Sequence, residues 1–342
     1  MLAVLLAILI CLPGFGDNAP RLNPDPFLSS VGSQTEPLPV QTLIEAALRV
    51  SGATAIETES AAARIGILID EMKAKIDPRW DRRQTAEIVL SYLHEHLFTL
   101  YDEYQTRVDR VLADGSFNCV SSAVLYMIFA RSIDIPVAGI SAADHAFCAV
   151  LLPEERIDVE TTNIYGFDPG QKREFHDAFG NITGYSYVPS SQHNGRVELS
   201  ERELLALILQ NRISILESKK RYAEAVGLAV DRYALAPGEV TREHLTLEAI
   251  NYAAGLNERK EYKSAIDFLT LFVESYGWDE ALRSIYGILH YNQIVVLIQE
   301  EAFSEAIDVM DRVEAPGWIE PKILDELRMQ AVSYTHLRAH ET

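Results

Sequence analysis

A thiol, an imidazole and two carboxylates follow one another in the middle of the chain. Cys119 opens a strongly apolar segment, and His145 stands directly before an apolar run. Asp158 and Glu160 belong to the run after that. In acyl transfer these three kinds of group act as nucleophile, general base and the group that orients the base. Their types and order therefore predict a cysteine-dependent catalytic site.

Cys119 is predicted to lie in the first turn of a helix. Ser116 and Asn118, both favourable helix caps, precede it, and residues 119–130 are strongly apolar. The unpaired amides and the positive dipole end of a first turn favour a thiolate, which is the nucleophilic form of cysteine. The alternative interpretation is a buried cysteine that packs as a small hydrophobic residue.

Three short β-rich runs follow this helix, at residues 137–140, 146–152 and 156–162. His145 stands at the start of the second run, from where its imidazole can face the helix. Because alternate residues of a strand share a face, we expect Asp158 and Glu160 on one face of the third run, where either could orient the imidazole. A strand-end histidine with satisfied hydrogen bonds is the alternative for His145.

The residues before Cys119 show the apolar spacing of helices. Three groups carry this spacing: Leu43, Ala47 and Val50; Ile65, Ile69 and Met72; and Val89, Leu93 and Leu97. Together with the β-rich runs, they predict an α+β domain that opens with helices and covers residues 40–190. A polar stretch at residues 189–195 marks its predicted end.

The order of a cysteine at a helix start, a histidine on one strand and an acid beyond it resembles the transglutaminase-like superfamily, whose fold is papain-like. The resemblance covers residues 57–170 and includes the Ile-Pro-Val turn at residues 135–137. Glu160 follows His145 by fifteen residues and begins an acid-x-Thr motif, as the family's acid usually does, although the family more often has Asp there. The resemblance implies Cys119, His145 and Glu160 as the catalytic residues.

This resemblance also implies a reaction on peptide or isopeptide amides. Cys119 would attack the carbonyl, with its own backbone amide as one oxyanion donor, and His145 would protonate the leaving amine. Transfer of the thioester to water would make the protein a protease or amidase, and transfer to an amine would make it a crosslinking enzyme. The alternative function is a catalytically inactive adaptor of the same fold that acts through protein binding.

Beyond residue 198 the chain is predicted to be helical and repetitive. An Asn precedes an aromatic residue by eleven positions three times, and an Ala follows each aromatic by three: Asn211, Tyr222 and Ala225; Asn251, Tyr262 and Ala265; Asn292, Phe303 and Ala306. The pattern resembles the tetratricopeptide repeat (TPR), with spacings of 40 and 41 residues in place of about 34. It predicts an all-α array of two-helix repeats over residues 198–331, and the resemblance implies binding of a protein partner or substrate.

The two ends of the chain are predicted to lie outside these domains. Residues 1–16 contain an uncharged apolar run with small residues after it, which predicts a signal peptide or an N-terminal anchor and export to the periplasm or beyond the cell. Residues 17–39, rich in Pro, Ser, Asn and Gly, are predicted to be a linker. Residues 332–342 resemble a translated sequencing adaptor and are predicted to be a non-native tail.

Composition restricts the partners that this protein can have. The 342 residues suffice for two domains, and 50 acidic against 30 basic residues give a net charge of −20. Such a charge repels phosphate backbones and anionic lipids, so we expect no nucleic acid partner and membrane association only through the N-terminal segment.

Cysteine usage restricts the chemistry further. The chain has 3 cysteines, too few for a disulfide scaffold, although Cys119 and Cys148 could pair with each other in an oxidising compartment. Zinc bound by Cys119, His145 and Cys148 is a weaker alternative, because the sequence offers no CxxC pair and no obvious fourth ligand. We therefore expect a free Cys119, no cofactor and no metal ion.

Overall fold

The computed structural model describes residues 19–142, 145–170, 172, 175, 195–314 and 317–339. These residues form two compact units. We call the first the α/β unit, which comprises Asn23–Lys220 and Leu228–Thr241. We call the second the helical unit, whose described residues are 19–22, Arg221–Gly227, 242–314 and 317–339. The predicted signal segment, residues 1–16, lies outside the described residues.

The α/β unit opens with helices and continues with short strands around one long apolar helix. Its elements up to this helix are α1 (Pro26–Gly32), α2 (Val40–Ser51), α3 (Ala55–Ala74), α4 (Arg82–His96), β1 (Leu100–Tyr101), α5 (Val108–Asp114), β2 (Ser116–Phe117) and α6 (Cys119–Arg131). After it come β3 (Val137–Ala142), β4 (His145–Leu151), β5 (Arg156–Val159), β6 (Arg196–Leu199) and α7 (Glu201–Ser218).

The strands form two sheets. A four-stranded sheet has the order β5-β4-β3-β6, and each neighbouring pair is antiparallel. In its register Ala142 pairs with His145 at the turn between β3 and β4. A separate parallel pair, β1 and β2, leads directly into α6. The start of α6 and the start of β4 carry the two residues on which the predicted chemistry depends.

Helix α6 is the centre of the core. Its residues from Val120 to Ala130 are all buried, as expected for a helix that is apolar on every side. It packs against β4, α4 and α7, while β3 packs against α7 as well. The apolar residues that predicted helices before Cys119 lie on α2, α3 and α4 or just after α4, and all of them are buried. These predicted helices are confirmed.

The predicted linker contains ordered structure in its described part. Helix α1 lies within it, and Leu28, Val31 and Leu38 are buried in the core of the α/β unit. Asp25 caps α1 by accepting hydrogen bonds from the amides of Phe27 and Leu28. A helix of 7 residues is too short to show apolar periodicity, so composition alone predicted a linker here.

The predicted domain end near residue 190 also differs from the structure. Strand β6 begins at Arg196 and forms the edge of the sheet beside β3. Helix α7, predicted as the first repeat helix, packs on α2, α6 and β3 within the α/β unit. Residues 189–194 of the polar stretch that predicted this boundary lie outside the described residues, and polar stretches of sequence occur inside domains as well as between them.

The described residues after α7 form consecutive helices, as predicted for this part of the chain. They are α8 (Tyr222–Leu235), α9 (Glu239–Glu258), α10 (Tyr262–Tyr276), α11 (Glu280–Gln299), α12 (Phe303–Glu314) and α13 (Pro321–Ala339). Each aromatic of the pattern is the first residue of a helix, and the three alanines that follow are fully buried. Helix α13 continues through the described part of the predicted tail. Within the described ranges, no helix has the length and apolar character needed to cross a bilayer.

Candidate active site

Cys119 is the first residue of α6, at a helix start that its neighbours cap. The side-chain oxygen of Asn118 accepts hydrogen bonds from the amides of Val120 and Ser121, each at 3.0 Å. The Ser121 hydroxyl in turn accepts a hydrogen bond from the Asn118 amide at 2.9 Å. The Cys119 amide takes no part in the hydrogen bonds of this capping box. The thiol therefore stands at the positive end of the helix dipole.

His145 lies between Cys119 and Glu160. Its Nε2 is 2.6 Å from Oε2 of Glu160, and the Cys119 side chain is near enough to help raise the pKa of the imidazole. The Glu160 side chain is 1 % exposed and that of His145 is 19 % exposed. Phe147 stacks beside the imidazole with ring centroids 6.2 Å apart. The structure thus brings the three predicted catalytic residues together.

The protonation of His145 follows from these neighbours. Burial lowers the pKa of His145, but the charge of Glu160, the hydrogen bond to Glu160 and the nearby Cys119 side chain outweigh burial and raise it to about 10. The imidazole is therefore an imidazolium at neutral pH. A cation beside the thiol is the environment in which reactive cysteines are found.

Glu160 is held in place by the residues that follow it. The amide and hydroxyl of Thr162 both donate to Oε1 of Glu160, at 3.2 and 2.8 Å, which leaves Oε2 for His145. Thr161 bonds through its hydroxyl to Ser122 of α6 at 2.8 Å and through its carbonyl to His94 of α4 at 3.1 Å. These contacts fix the acid between two helices of the core.

Asp158 does not join the site, contrary to the prediction that either acid could orient the imidazole. Its carboxylate pairs with Arg196 of β6 at 2.8 Å. The Arg196 guanidinium also lies 4.7 Å from the centroid of the Phe147 ring. Asp158 lies within β5, whereas Glu160 lies just beyond the strand, which ends at Val159, and directly before a turn, so the two do not share a strand face.

Cys148 is a free thiol inside the core, and Cys119 is free as well. The Cys148 sulfur donates to the carbonyl of Ala123 at 3.3 Å, between β4 and α6. Burial raises the pKa of the Cys148 thiol, which makes this cysteine unreactive. In the described part of the chain, no group of three or more His, Cys, Asp or Glu residues is arranged to hold a metal ion.

A cleft of about 610 Å³ opens over the Cys119–His145 pair within the α/β unit. One wall contains Tyr101, Glu103 and Tyr104 from the segment around β1. The opposite wall is one face of α7 and consists of Leu207, Gln210, Asn211, Ser214, Ile215 and Ser218. Sequence reasoning missed both walls.

A signal for the α7 wall was present in the sequence. The wall residues recur at three- and four-residue steps, which is the spacing of one helix face. The buried residues Leu204, Leu205, Ile208 and Leu209 form the other face. This wall face contains both polar and apolar residues, whereas a helix face exposed only to solvent is mostly polar.

A thiol, a raised-pKa imidazole and a buried acid in contact, below an open cleft, can perform nucleophilic attack and proton transfer on a bound carbonyl compound. Comparisons of the chain with models of protein families, with curated proteins and with solved structures found no match.

Proposed function

We propose that this protein is a transglutaminase-like cysteine enzyme that acts on peptide or isopeptide amide bonds. The observation that carries the proposal is the hydrogen-bonded pair His145–Glu160 beside Cys119, with Cys119 and His145 lining the cleft. The arrangement supplies the nucleophile, the proton carrier and the orienting acid that acyl transfer requires.

The proposed reaction has two halves. In the first, Sγ of Cys119 bonds to the amide carbonyl carbon, the C–N bond breaks, and the imidazolium of His145 gives its proton to the leaving amine. In the second, water or an amine attacks the thioester, His145 takes up the proton, and the thiolate leaves. Hydrolysis and transfer differ only in the second acceptor, and both use the same residues.

The tetrahedral intermediate of each half carries an oxyanion. The Cys119 amide supports a role as donor because the capping box uses the amides of Val120 and Ser121. It also lies at the start of α6, where the dipole favours negative charge.

The helical unit is proposed to bind a protein substrate or partner. Exposed apolar side chains support this role: Leu247 of α9 is 50 % exposed, and Ile288 and Tyr291 of α11 are 47 % and 40 % exposed. Large apolar side chains on the surface of repeat helices are typical of binding faces.

Alkylation of Cys119 tests the enzyme. We expect iodoacetamide to alkylate Cys119 readily at pH 7 and His145→Ala to slow this reaction at least tenfold, because the substitution removes the imidazolium beside the thiol. Mass spectrometry of the peptide that contains Cys119 measures the rate separately from other thiols. His96→Ala, which removes an exposed histidine of α4, serves as the matched control and should leave the rate unchanged.

An unreactive Cys119 in the folded parent protein would contradict the proposed enzyme function and favour the alternative of an inactive adaptor. If the thiol reacts, release of amine from peptide amides and incorporation of a fluorescent primary amine into casein distinguish hydrolysis from transfer. Both activities should disappear in Cys119→Ala.

A further inference from the structure

The walls of the cleft indicate what lies across the catalytic pair. The wall face of α7 runs from Leu207 to Ser218, which is eleven residue steps or roughly 16 Å at 1.5 Å per residue. An extended peptide covers that distance with about five residues. The cleft volume of about 610 Å³ is within the usual range for ligand sites.

Gln210 presents a hydrogen-bond donor in the middle of this wall. Its Oε1 accepts a hydrogen bond from the guanidinium of Arg232 at 2.7 Å. Since arginine only donates, this contact fixes which end of the Gln210 amide faces Arg232. Nε2 keeps two N–H groups, and the one hydrogen bond of the Gln210 side chain among the described residues is the contact with Arg232.

Arg232 holds Gln210 from a buried position. The residue is 5 % exposed and belongs to the same compact unit as α7. A buried guanidinium keeps a hydrogen-bond partner because an unpaired charge there is costly. The Gln210 amide is therefore fixed before any substrate arrives.

Asn211, the next residue of the wall, presents the complementary group. Its Nδ2 donates to the hydroxyl of Thr106 at 3.3 Å, which leaves its carbonyl oxygen as an acceptor. Adjacent donor and acceptor groups match the C=O and N–H of an extended peptide backbone, while Leu207 and Ile215 offer apolar contacts to side chains.

We infer that the wall face of α7 is a subsite for an extended peptide segment of the substrate, and that Gln210 binds a backbone carbonyl there. The inference rests on the proposed function, because it gives the Cys119 site a peptide substrate recognised through its main chain. Gln210 is a specificity-determining residue, and Arg232 is the residue that positions it.

Two electrophiles with the same reactive group test this subsite. Chloroacetamide and N-chloroacetyl-tetra-alanine amide both alkylate a thiolate with loss of chloride, but only the second has a peptide backbone that reaches α7. We expect the peptide to alkylate Cys119 at least tenfold faster than chloroacetamide in the full-length parent protein. The ratio of the two rates measures recognition separately from the reactivity of the thiol.

Gln210→Glu removes the donor and keeps the acceptor for Arg232. We expect it to lower the rate ratio about fivefold, as the loss of one hydrogen bond does, and to leave the chloroacetamide rate unchanged. Gln299→Glu, the same change at an exposed position of α11, should leave both rates unchanged. Thermal unfolding of both variants checks that the fold is kept.

A rate ratio near one in the parent protein, or an unchanged ratio in Gln210→Glu, would overturn the subsite. An unreactive Cys119 toward chloroacetamide itself would instead overturn the proposed enzyme. The two failures therefore give different results in the same experiment.

Discussion

Two histidines near the candidate site are held in opposite protonation states. His145 faces Glu160 and has a raised pKa, whereas burial lowers the pKa of His94 to about 4. His94 hydrogen-bonds to the carbonyl of Thr161 and packs edge-on against Phe98 with ring centroids 5.1 Å apart. Neutral His94 thus binds the segment that follows Glu160, and charged His145 pairs with the Glu160 carboxylate.

His94 should make the protein sensitive to acid. The unfolded chain protonates this residue near pH 6.5 and the folded chain only near pH 4, so between these values the unfolded state binds more protons. As the pH decreases through this window, the free energy of unfolding should therefore decrease, by at most about 1.4 kcal/mol per pH unit from this group. His94→Gln keeps an N–H donor for the Thr161 carbonyl but does not titrate.

Urea unfolding of parent and His94→Gln at several pH values measures the effect. We expect the stability of the parent relative to the variant to decrease between pH 6.5 and pH 4. Parallel curves for the two proteins would show that His94 does not titrate in this way. His145 should act in the opposite direction, since its raised pKa gives stability that is lost as pH rises through about 10.

Sequence reasoning predicted the elements that carry Cys119 and His145 better than it predicted their surroundings. Cys119 at a helix start and His145 at a strand start follow from local signals, namely a cap and an apolar run. The choice between Asp158 and Glu160 depends on where β5 ends, and local sequence does not determine that point. The TPR-like pattern that includes Asn211 predicted a helix but not its packing, because a repeat helix can pack on a sheet as well as on its own hairpin.

At the scale of elements, a close approach of β3 and α7 positions one wall of the cleft. A Cβ added at Gly139 of β3 would lie 3.1 Å from Cβ and Cδ1 of Leu204, which is fully buried. The glycine therefore lets the helix lie close to the strand. β6 is the strand of the four-stranded sheet that sequence reasoning missed, and its 4 residues are too few to show alternation.

Alanine substitution at two glycines tests this close contact. We expect Gly139→Ala to destabilise the protein by about 1 kcal/mol, because the new methyl group forces Leu204 and α7 to shift. Gly66→Ala in α3, where nothing lies within 4 Å of the new Cβ, should stabilise it by roughly 0.5–1 kcal/mol. Denaturant unfolding measures both, and an equal gain in stability at the two positions would show that β3 and α7 have room between them.

At the scale of the whole molecule, α7 belongs to the repeat pattern in sequence and to the α/β unit in structure. Glu201 at its start accepts from Arg131 of α6 at 2.7 Å and from the buried amide of Leu38 at 2.6 Å. The apolar face of α7 covers part of the main core. The α/β unit therefore requires a helix that the repeat pattern alone would assign to another domain.

Two fragments test this requirement. We expect residues 19–241 to unfold cooperatively and to keep the Cys119 alkylation rate, because they include the whole described α/β unit. Residues 19–200 lack α7, so Arg131 and the Leu38 amide lose their partner Glu201 and the core residues beneath the helix become exposed. Since the lost apolar burial costs several kcal/mol, the shorter fragment should fail to fold. Circular dichroism and urea unfolding measure this. Equal stability of the two fragments would show that the α/β unit does not require α7.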